Sequence, residues 1–175
     1  MSRRIEILIS GFGGQGVVRV GQILGEAAVH QGLFATMLIS HGTETRGGYV
    51  RSQLVISEEF IDSPVVEHPD YFCAFSAIAY GMFKGLCGPQ SLVLHNPELV
   101  TPDQALPAEH WAIRAETLAE QELGDAVFAN VIFLGALSSK LGIISRENLL
   151  TALKNRLPQR FLDNNLRAFD LGLSL

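Results

Sequence analysis

A glycine-rich segment near the start of the chain most constrains the fold: residues 11–16 read Gly-Phe-Gly-Gly-Gln-Gly. The apolar run before it, residues 5–9, is typical of a strand buried on both faces. After it, apolar residues recur at helical spacing over residues 17–31, and Gly32 stands where a C-terminal glycine cap belongs. The pattern predicts a strand, a glycine loop and a helix, which is a Rossmann-like opening unit.

Further strands are predicted at residues 34–40, 49–57, 71–77, 91–94 and 111–115. The alternating polarity of residues 49–57 indicates that this strand lies near an edge of the sheet. The rest of the chain reads as helices: Thr117 and Glu120 fit a capping box, an apolar helix ends at Gly142, and Ser145 can cap the next one. The order predicts an α/β fold, a three-layer sandwich with a largely parallel sheet and a helical C-terminal third. At 175 residues we expect a single domain, residues 1–175.

The glycine loop satisfies the G-x-G-x-x-G pattern, whose backbone N–H groups at a helix start favour an anion. A dinucleotide-binding protein also needs an acidic residue roughly 20 positions further on, and Gln31 stands at that distance. The segment also lacks the Gly-Lys-Ser/Thr ending of a P-loop. Three interpretations stay open: dinucleotide binding, contact with a phosphate or another anion, and a turn that serves structure or an interface.

A second polar and glycine-rich segment, residues 42–48, follows the second predicted strand at the end where open α/β folds place ligands. Arg46 could hold a carboxylate or a phosphate with two hydrogen bonds, and the neighbouring glycines would let a ligand or a partner backbone come close. Alternatively, Glu44 and Arg46 pair with each other and stiffen the turn. The spacing does not decide between these two interpretations.

Elsewhere the chain shows no catalytic constellation. His41 lies beside the second glycine segment without a carboxylate or cysteine at ligand spacing, and we expect a structural histidine. There is no G-x-S-x-G nucleophile motif. Cys73 and Cys87 are too few for a disulfide framework or for the four thiolates of an iron–sulfur cluster, and we expect buried thiols.

The overall charge argues against some classes of partner. The net charge of −5 is opposite to that expected of a nucleic-acid-binding protein, and no apolar stretch approaches the roughly 20 residues of a membrane span. We therefore expect no nucleic acid, no membrane and a cytoplasmic location.

Only 18% of the residues are charged, against roughly 25% in an ordinary soluble domain. We expect this surface to be covered by partners, and the isolated chain to form a homodimer through a surface that includes residues near the two glycine motifs.

Four segments resemble the gamma subunit of 2-oxoacid:ferredoxin (acceptor) oxidoreductases, most closely that of the 2-oxoglutarate enzyme: residues 11–18, 44–51, 130–137 and 165–172. The resemblance covers nearly the whole chain, with the motifs in the family's order. It implies a catalytic gamma domain of an enzyme of the EC 1.2.7 class, which converts a 2-oxoacid and coenzyme A to acyl-CoA and carbon dioxide with reduction of ferredoxin. Pyruvate, branched-chain oxoacid and indolepyruvate enzymes are the alternative forms, and the isolated chain is expected to be inactive.

The resemblance places the cofactors elsewhere: thiamine diphosphate and magnesium between alpha and beta subunits, and iron–sulfur clusters in beta or in a ferredoxin-like delta subunit. No catalytic or metal-binding residue is expected here, and coenzyme A enters as a substrate. The residues predicted to face coenzyme A phosphates or a neighbouring subunit are Gly11, Gly13, Gly14, Gln15, Gly16, Glu44, Arg46, Gly47 and Gly48. A purely structural assembly subunit and a free-standing dinucleotide-binding protein are the alternatives.

Overall fold

The computed structural model describes residues 3–42 and 48–175. Six strands form one sheet in the order β2-β3-β1-β4-β5-β6. Their bounds are β1 Arg4–Phe12, β2 Phe34–His41, β3 Tyr49–Ser57, β4 Tyr71–Ala74, β5 Leu92–His95 and β6 Glu109–Ala112. The six α-helices are α1 Val17–His30, α2 Ala77–Phe83, α3 Ala115–Leu123, α4 Ala129–Leu141, α5 Arg146–Arg156 and α6 Leu162–Leu173. None of the helices in the described ranges is both long and apolar enough to cross a lipid bilayer.

The sheet is mixed, with one strand against the direction of the other five. β1 is parallel to β4, β4 to β5 and β5 to β6, while β3 is antiparallel to both β1 and β2. The prediction of a largely parallel sheet is therefore confirmed in strand direction, and β3 is the exception. Because the other five strands end together, they define one edge of the sheet, which is called the carboxyl edge below.

β3 lies one place in from the end of the sheet, and β2 is the outermost strand. The alternating polarity of residues 49–57 predicted a strand near an edge, and this is close to what is found. Its polar residues are nevertheless covered: Ser52 and Gln53 are both buried. The alternation reflects polar side chains held under neighbouring segments, since the Gln53 side-chain carbonyl accepts a hydrogen bond from the Val66 backbone at 3.1 Å.

Two apolar layers cover the sheet, which confirms the three-layer architecture. On one face Ile5, Ile7 and Ile9 of β1 pack with α1 and with the helices of the C-terminal third. On the other face Leu8 packs with Phe72 and with residues of α2 and of the segments around it. The alternation of β1 side chains between the two layers is the period of two that a strand imposes. The helical C-terminal third is confirmed, and it lies almost wholly on the α1 face.

Local capping signals locate several helix ends. Gly32 and Gly142 both adopt the left-handed conformation, with φ of 83° and 59°, directly after or just beyond a helix end. Ser145 caps α5, because its hydroxyl accepts a hydrogen bond from the Asn148 N–H at 3.3 Å. The capping box at Thr117 is wrong: α3 begins at Ala115, and the Thr117 hydroxyl donates to the Glu98 carboxylate at 2.9 Å.

Candidate functional site

The candidate site is built on the glycine loop between β1 and α1, at the carboxyl edge. Gly14 and Gly16 have φ of 92° and 78°, a backbone conformation that L side chains rarely adopt. Gly16 is the N-cap of α1, it supplies no side-chain cap, and the first turn of α1 carries no acidic residue. The first N–H groups of a helix carry a partial positive charge, so this end of α1 favours an anion.

The Gln15 side chain ties the loop to the neighbouring strand. Its carbonyl oxygen accepts a hydrogen bond from the Phe12 N–H at 2.6 Å, and its amide nitrogen donates to the Phe75 carbonyl at 3.0 Å. Phe75 directly follows β4, the strand beside β1. The amide therefore bridges the ends of two adjacent parallel strands. This contact is a structural role for one of the predicted site residues.

The loop has a packed half and an open half. A Cβ built on Gly11 would lie 2.4 Å from the Gln15 side-chain oxygen and 2.8 Å from the Phe75 Cβ. A Cβ on Gly16 would lie 1.9 Å from the Asn130 side-chain nitrogen. In contrast, a Cβ on Gly13 or Gly14 would meet nothing within 4 Å in the described part of the chain. At both ends of the loop, neighbouring residues of this chain thus fill the space beside the glycines. At the centre of the loop that space is open.

Concave surfaces border the open half on several sides. One cavity, of about 550 Å³, is lined by Gly13, Gly14, Arg19 and His41, among others. The Arg19 guanidinium donates to the Arg156 carbonyl, which holds this cation close to the loop. His41 is the last residue of β2 and is exposed. This cavity extends from the N-terminus of α1 to the end of β2, after which the second glycine segment begins.

A second cavity, of about 270 Å³, lies between the glycine loop and the start of α4, lined by Gly14, Phe75, Glu116 and Asn130 among others. It lies where β1 meets β4, with α1 and α2 packed on opposite faces of the sheet. This is the topological switch point, where open α/β sheets place their ligands. Beside it, a third cavity of about 500 Å³ is bordered by the exposed side chains of Val127 and Phe161.

Asn130 also belongs to this site, although the motif that contains it, residues 130–137, did not predict it as a site residue. It interrupts an otherwise apolar stretch of α4, and its side-chain amide lies against Gly16, the N-cap of α1. A polar residue inside a buried helix needs a polar neighbour, and this was the signal that could have identified it. Phe75 and Val127 carry no comparable signal, since an apolar residue at a strand or helix end is ordinary.

Residues 43–47 of the second glycine segment lie outside the described residues, and the predicted site residues Glu44, Arg46 and Gly47 are among them. The residues on either side of the gap lie at the carboxyl edge. The Gly42 N–H donates to the Tyr49 carbonyl at 2.8 Å, and Gly48 directly precedes Tyr49. Tyr49 in turn pairs with Phe12, the residue before the open half of the glycine loop. The fold therefore brings the two ends of the second segment next to the first.

Within residues 3–42 and 48–175, no group of three His, Cys, Asp or Glu side chains could hold a metal ion. Burial raises the pKa of the Cys73 thiol to about 12 and that of the Cys87 thiol to about 11. The free cysteines predicted as buried thiols are confirmed as such. What the site offers is a surface, a helix N-terminus and an open glycine loop.

These features define an α/β domain of the Rossmann-like kind, with an open glycine loop and a helix N-terminus at its carboxyl edge. The pyruvate ferredoxin/flavodoxin oxidoreductase family model matches residues 6–175. The chain belongs to this family, as the motifs in its sequence indicated.

The chain is similar to subunits of 2-oxoacid oxidoreductases over nearly its whole length. It is 34% identical over 179 residues to the 2-oxoglutarate synthase subunit KorC of Methanothermobacter marburgensis, covering 98% of this chain and 96% of that protein. The gamma subunit of a keto/oxoacid ferredoxin oxidoreductase from Geobacter sulfurreducens superposes with a TM-score of 0.86 at 29% identity, over 97% of this chain and 96% of that one. Similarity to a gamma subunit, expected from the motifs, is confirmed.

A third comparison places the same fold inside a larger chain. The 2-oxoglutarate:ferredoxin oxidoreductase of Magnetococcus marinus, solved with 2-oxoglutarate, coenzyme A and succinyl-CoA bound, matches with a TM-score of 0.89 at 26% identity. The match covers 99% of this chain but 31% of that one. A unit with this fold is therefore one part of a longer polypeptide in that enzyme.

Proposed function

We propose that this chain is the gamma subunit of a thiamine-dependent 2-oxoglutarate:ferredoxin oxidoreductase. The assembled enzyme would convert 2-oxoglutarate and coenzyme A to succinyl-CoA and carbon dioxide, and pass the two electrons released to ferredoxin. The choice of 2-oxoglutarate is supported by the KorC relative and by the Magnetococcus enzyme. Residues 1–175 would form one gamma-type domain of this cytoplasmic complex.

In this proposal the cofactors belong to partner subunits. Thiamine diphosphate and magnesium would lie between alpha and beta chains, and iron–sulfur clusters in beta or in a delta chain. The donor set of this chain supports that division, because both thiols are buried and no acidic or thiol-rich group of three exists in the described residues. A thiolate ligand must be deprotonated, and burial of these two thiols works against it.

The observation that carries the proposed role is the open half of the glycine loop. Gly13 and Gly14 lie at the carboxyl edge beside the N-terminus of α1, and nothing in the described residues fills the space where their side chains would be. We infer that this surface forms part of the wall of the coenzyme A channel, and we assign Arg46 to the binding of coenzyme A phosphates. Coenzyme A carries phosphates, which suit a helix N-terminus and a guanidinium.

Gly13 allows a sharp test, since its φ is not in the left-handed region and an added side chain meets no neighbour. Gly13→Val should therefore leave the isolated chain folded. In enzyme reconstituted with its partner subunits, we expect a several-fold higher Michaelis constant for coenzyme A and an unchanged one for 2-oxoglutarate. Gly88→Val is the matched control, because Gly88 is equally open but lies in a loop between α2 and β5.

Arg46→Ala tests the same role from the second segment. A hydrogen bond to a charged group contributes about 2 kcal/mol, so we expect a rise of about tenfold or more in the coenzyme A constant with normal assembly. If both variants assemble normally and both constants stay unchanged, the channel role is wrong. If the variants assemble poorly but show normal constants per complex, the chain is an assembly subunit.

The remaining alternative, a free-standing dinucleotide-binding protein, is tested by titrating the isolated chain with NAD, FAD and coenzyme A in a calorimeter. Tight dinucleotide binding would contradict the proposal. The 2-oxoacid is tested on the complex purified with its native partners, assayed with 2-oxoglutarate, pyruvate, a branched-chain oxoacid and indolepyruvate. The highest kcat/KM is expected with 2-oxoglutarate.

A further inference from the structure

The outermost strand β2 has one side without a partner. In the described part of the chain it pairs with β3 only, so its other side presents a row of backbone N–H and C=O groups outward. Such a row is a template for another strand, and proteins usually protect it with charged residues, proline, or a very short strand. The absence of such protection on β2 would therefore indicate that another strand can pair with it.

β2 has none of these protections. Its eight residues, Phe-Ala-Thr-Met-Leu-Ile-Ser-His, include no proline and no Asp, Glu, Lys or Arg. The strand at the opposite end, β6, has four residues and begins with the exposed Glu109. One end of the sheet is thus short and charged, while the other is long, uncharged and open.

Apolar side chains are exposed on both faces of this open strand. Phe34 and Leu38 point to the α2 face and are 48% and 37% exposed, and Ile39, 39% exposed, points to the α1 face. Phe60, 81% exposed, extends the surface by an edge contact with Phe34 at 6.3 Å between ring centres. On the α1 face, an open groove of about 600 Å³ between α1 and β2 exposes Met37 and its neighbours. Exposed apolar side chains grouped in this way mark an interaction site.

We infer that β2 is a homodimer interface, in which it pairs antiparallel with β2 of a second copy of this chain. A twofold axis perpendicular to the sheet makes the strand antiparallel to its own copy and joins equivalent faces, as an isologous interface requires. The partner strand must itself be unpaired, uncharged and of similar length, and β2 meets all three conditions. Because β2 contains no Asp, Glu, Lys or Arg, no two of these charged side chains face each other across the pairing.

The dimensions suit such an interface. The eight residues of β2 extend about 27 Å, and the two sheets would become one of twelve strands. With the axis near the strand centre, Met37 and Leu38 approach their copies. The exposed rings of Phe34 and Phe60 then pack against the far end of the partner's strand. This dimer does not depend on the proposed role in the coenzyme A channel, and its test needs no partner subunit.

The test measures the mass of the isolated full chain by light scattering and sedimentation equilibrium over a wide concentration range. We expect a dimer for the wild-type chain and a monomer for Leu38→Lys, since two lysines would then meet at the axis. Ile78→Lys is the matched control: Ile78 is also an exposed apolar residue, 57% exposed, but lies on α2. It should stay dimeric, and circular dichroism should show both variants folded.

A crosslinking experiment identifies the paired strand directly. Leu38→Cys should crosslink between copies with a short bismaleimide, whereas Val127→Cys, at the carboxyl edge, should not. Cys73 and Cys87 are buried and leave the background low. The inference is overturned by a wild-type monomer at high concentration, by a Leu38→Lys chain that remains dimeric, or by absence of the crosslink. It is equally overturned if the wild-type chain is monomeric and Leu38→Lys blocks only assembly with the other subunits.

Discussion

Gly135 of α4 and Gly172 of α6 contact each other through their backbones. A Cβ built on Gly135 would lie 2.9 Å from the Gly172 Cα and 2.2 Å from the Phe169 carbonyl oxygen. A Cβ on Gly172 would lie 2.1 Å from the Ile132 carbonyl oxygen. All three neighbouring atoms belong to the backbone, so the two helices pack at a distance that only glycine allows.

We therefore expect Gly135→Ala to lower the free energy of unfolding by about 3 kcal/mol, at the upper end of overpacking costs, because the helices must separate and the apolar contacts along them are lost. Urea denaturation followed by circular dichroism measures the change. Gly81→Ala in α2 is the control, since a Cβ there meets nothing within 4 Å in the described residues. It should be neutral or stabilising by up to about 1 kcal/mol. Equal midpoints for the two variants would contradict the close packing.

Gln15→Ala removes both hydrogen bonds that join the glycine loop to the end of β4. The Phe12 N–H and the Phe75 carbonyl lose their partner, at a cost of about 1–3 kcal/mol in unfolding free energy. Chemical denaturation of the isolated chain measures this cost independently of any partner. Gln121→Ala, at an exposed position of α3, should change the midpoint little. A Gln15→Ala chain as stable as this control would mean that the bridge does not hold the loop.

His95 predicts a pH dependence of stability. It is 1% exposed, and its Nδ1 has no hydrogen-bond partner among the described residues. Burial lowers its pKa from the ordinary value of 6.5, the Asn96 backbone opposes this, and His110 lowers the pKa further. With the folded pKa below the unfolded one, the unfolded chain binds the proton first. The stability that the neutral ring contributes is therefore present at neutral pH and declines as pH falls below the unfolded pKa of about 6.5.

His95→Gln carries no titrating ring. We expect the unfolding free energy of the wild-type chain to fall relative to this variant between about pH 7.5 and about pH 5.5, as measured by urea denaturation at each pH. His68→Gln, at an exposed position, should track the wild-type chain. If the wild-type and His95→Gln curves run parallel over this range, His95 does not titrate differently on unfolding.

The two thiols should be inert in the folded chain. With pKa values raised by burial to about 12 for Cys73 and about 11 for Cys87, almost no thiolate exists at about pH 8. We expect no reaction with a disulfide reagent such as DTNB on the timescale of minutes, and two thiols per chain after denaturation in guanidinium chloride. Rapid release of one equivalent from the native chain would contradict the burial of that residue.

Features with a local cause are predictable from the sequence. Gly32, Gly142 and Ser145 end or begin helices through contacts within a few residues, and the glycine loop follows its strand as the motif requires. Features that depend on a residue far away in the sequence are not. Thr117 has the spacing of a cap, but its hydroxyl binds Glu98, 19 residues away, and α3 begins earlier.

The candidate site shows the same division. Gln15 was predicted as a site residue, yet its contact with Phe75, 60 residues away, depends on β4 lying beside β1, which no local pattern encodes. The position of Asn130 against Gly16 likewise depends on how α4 packs on the glycine loop. Strand order is also not predictable from local patterns. The alternating polarity of residues 49–57 indicates a strand but not that β1 and β2 lie on either side of it.

The position of β3 between β1 and β2 constrains how the chain can fold. A strand–helix–strand unit can form early in folding when its two strands pair directly. Here β1 and β2 do not pair, because β3 lies between them. β2 and β3 pair along their full length and are adjacent in the chain, so they can form as a hairpin and dock on β1 as a unit. Until the hairpin docks on β1, both of its edges are unpaired. The folding chain is therefore most prone to aggregate with another copy of itself at this step.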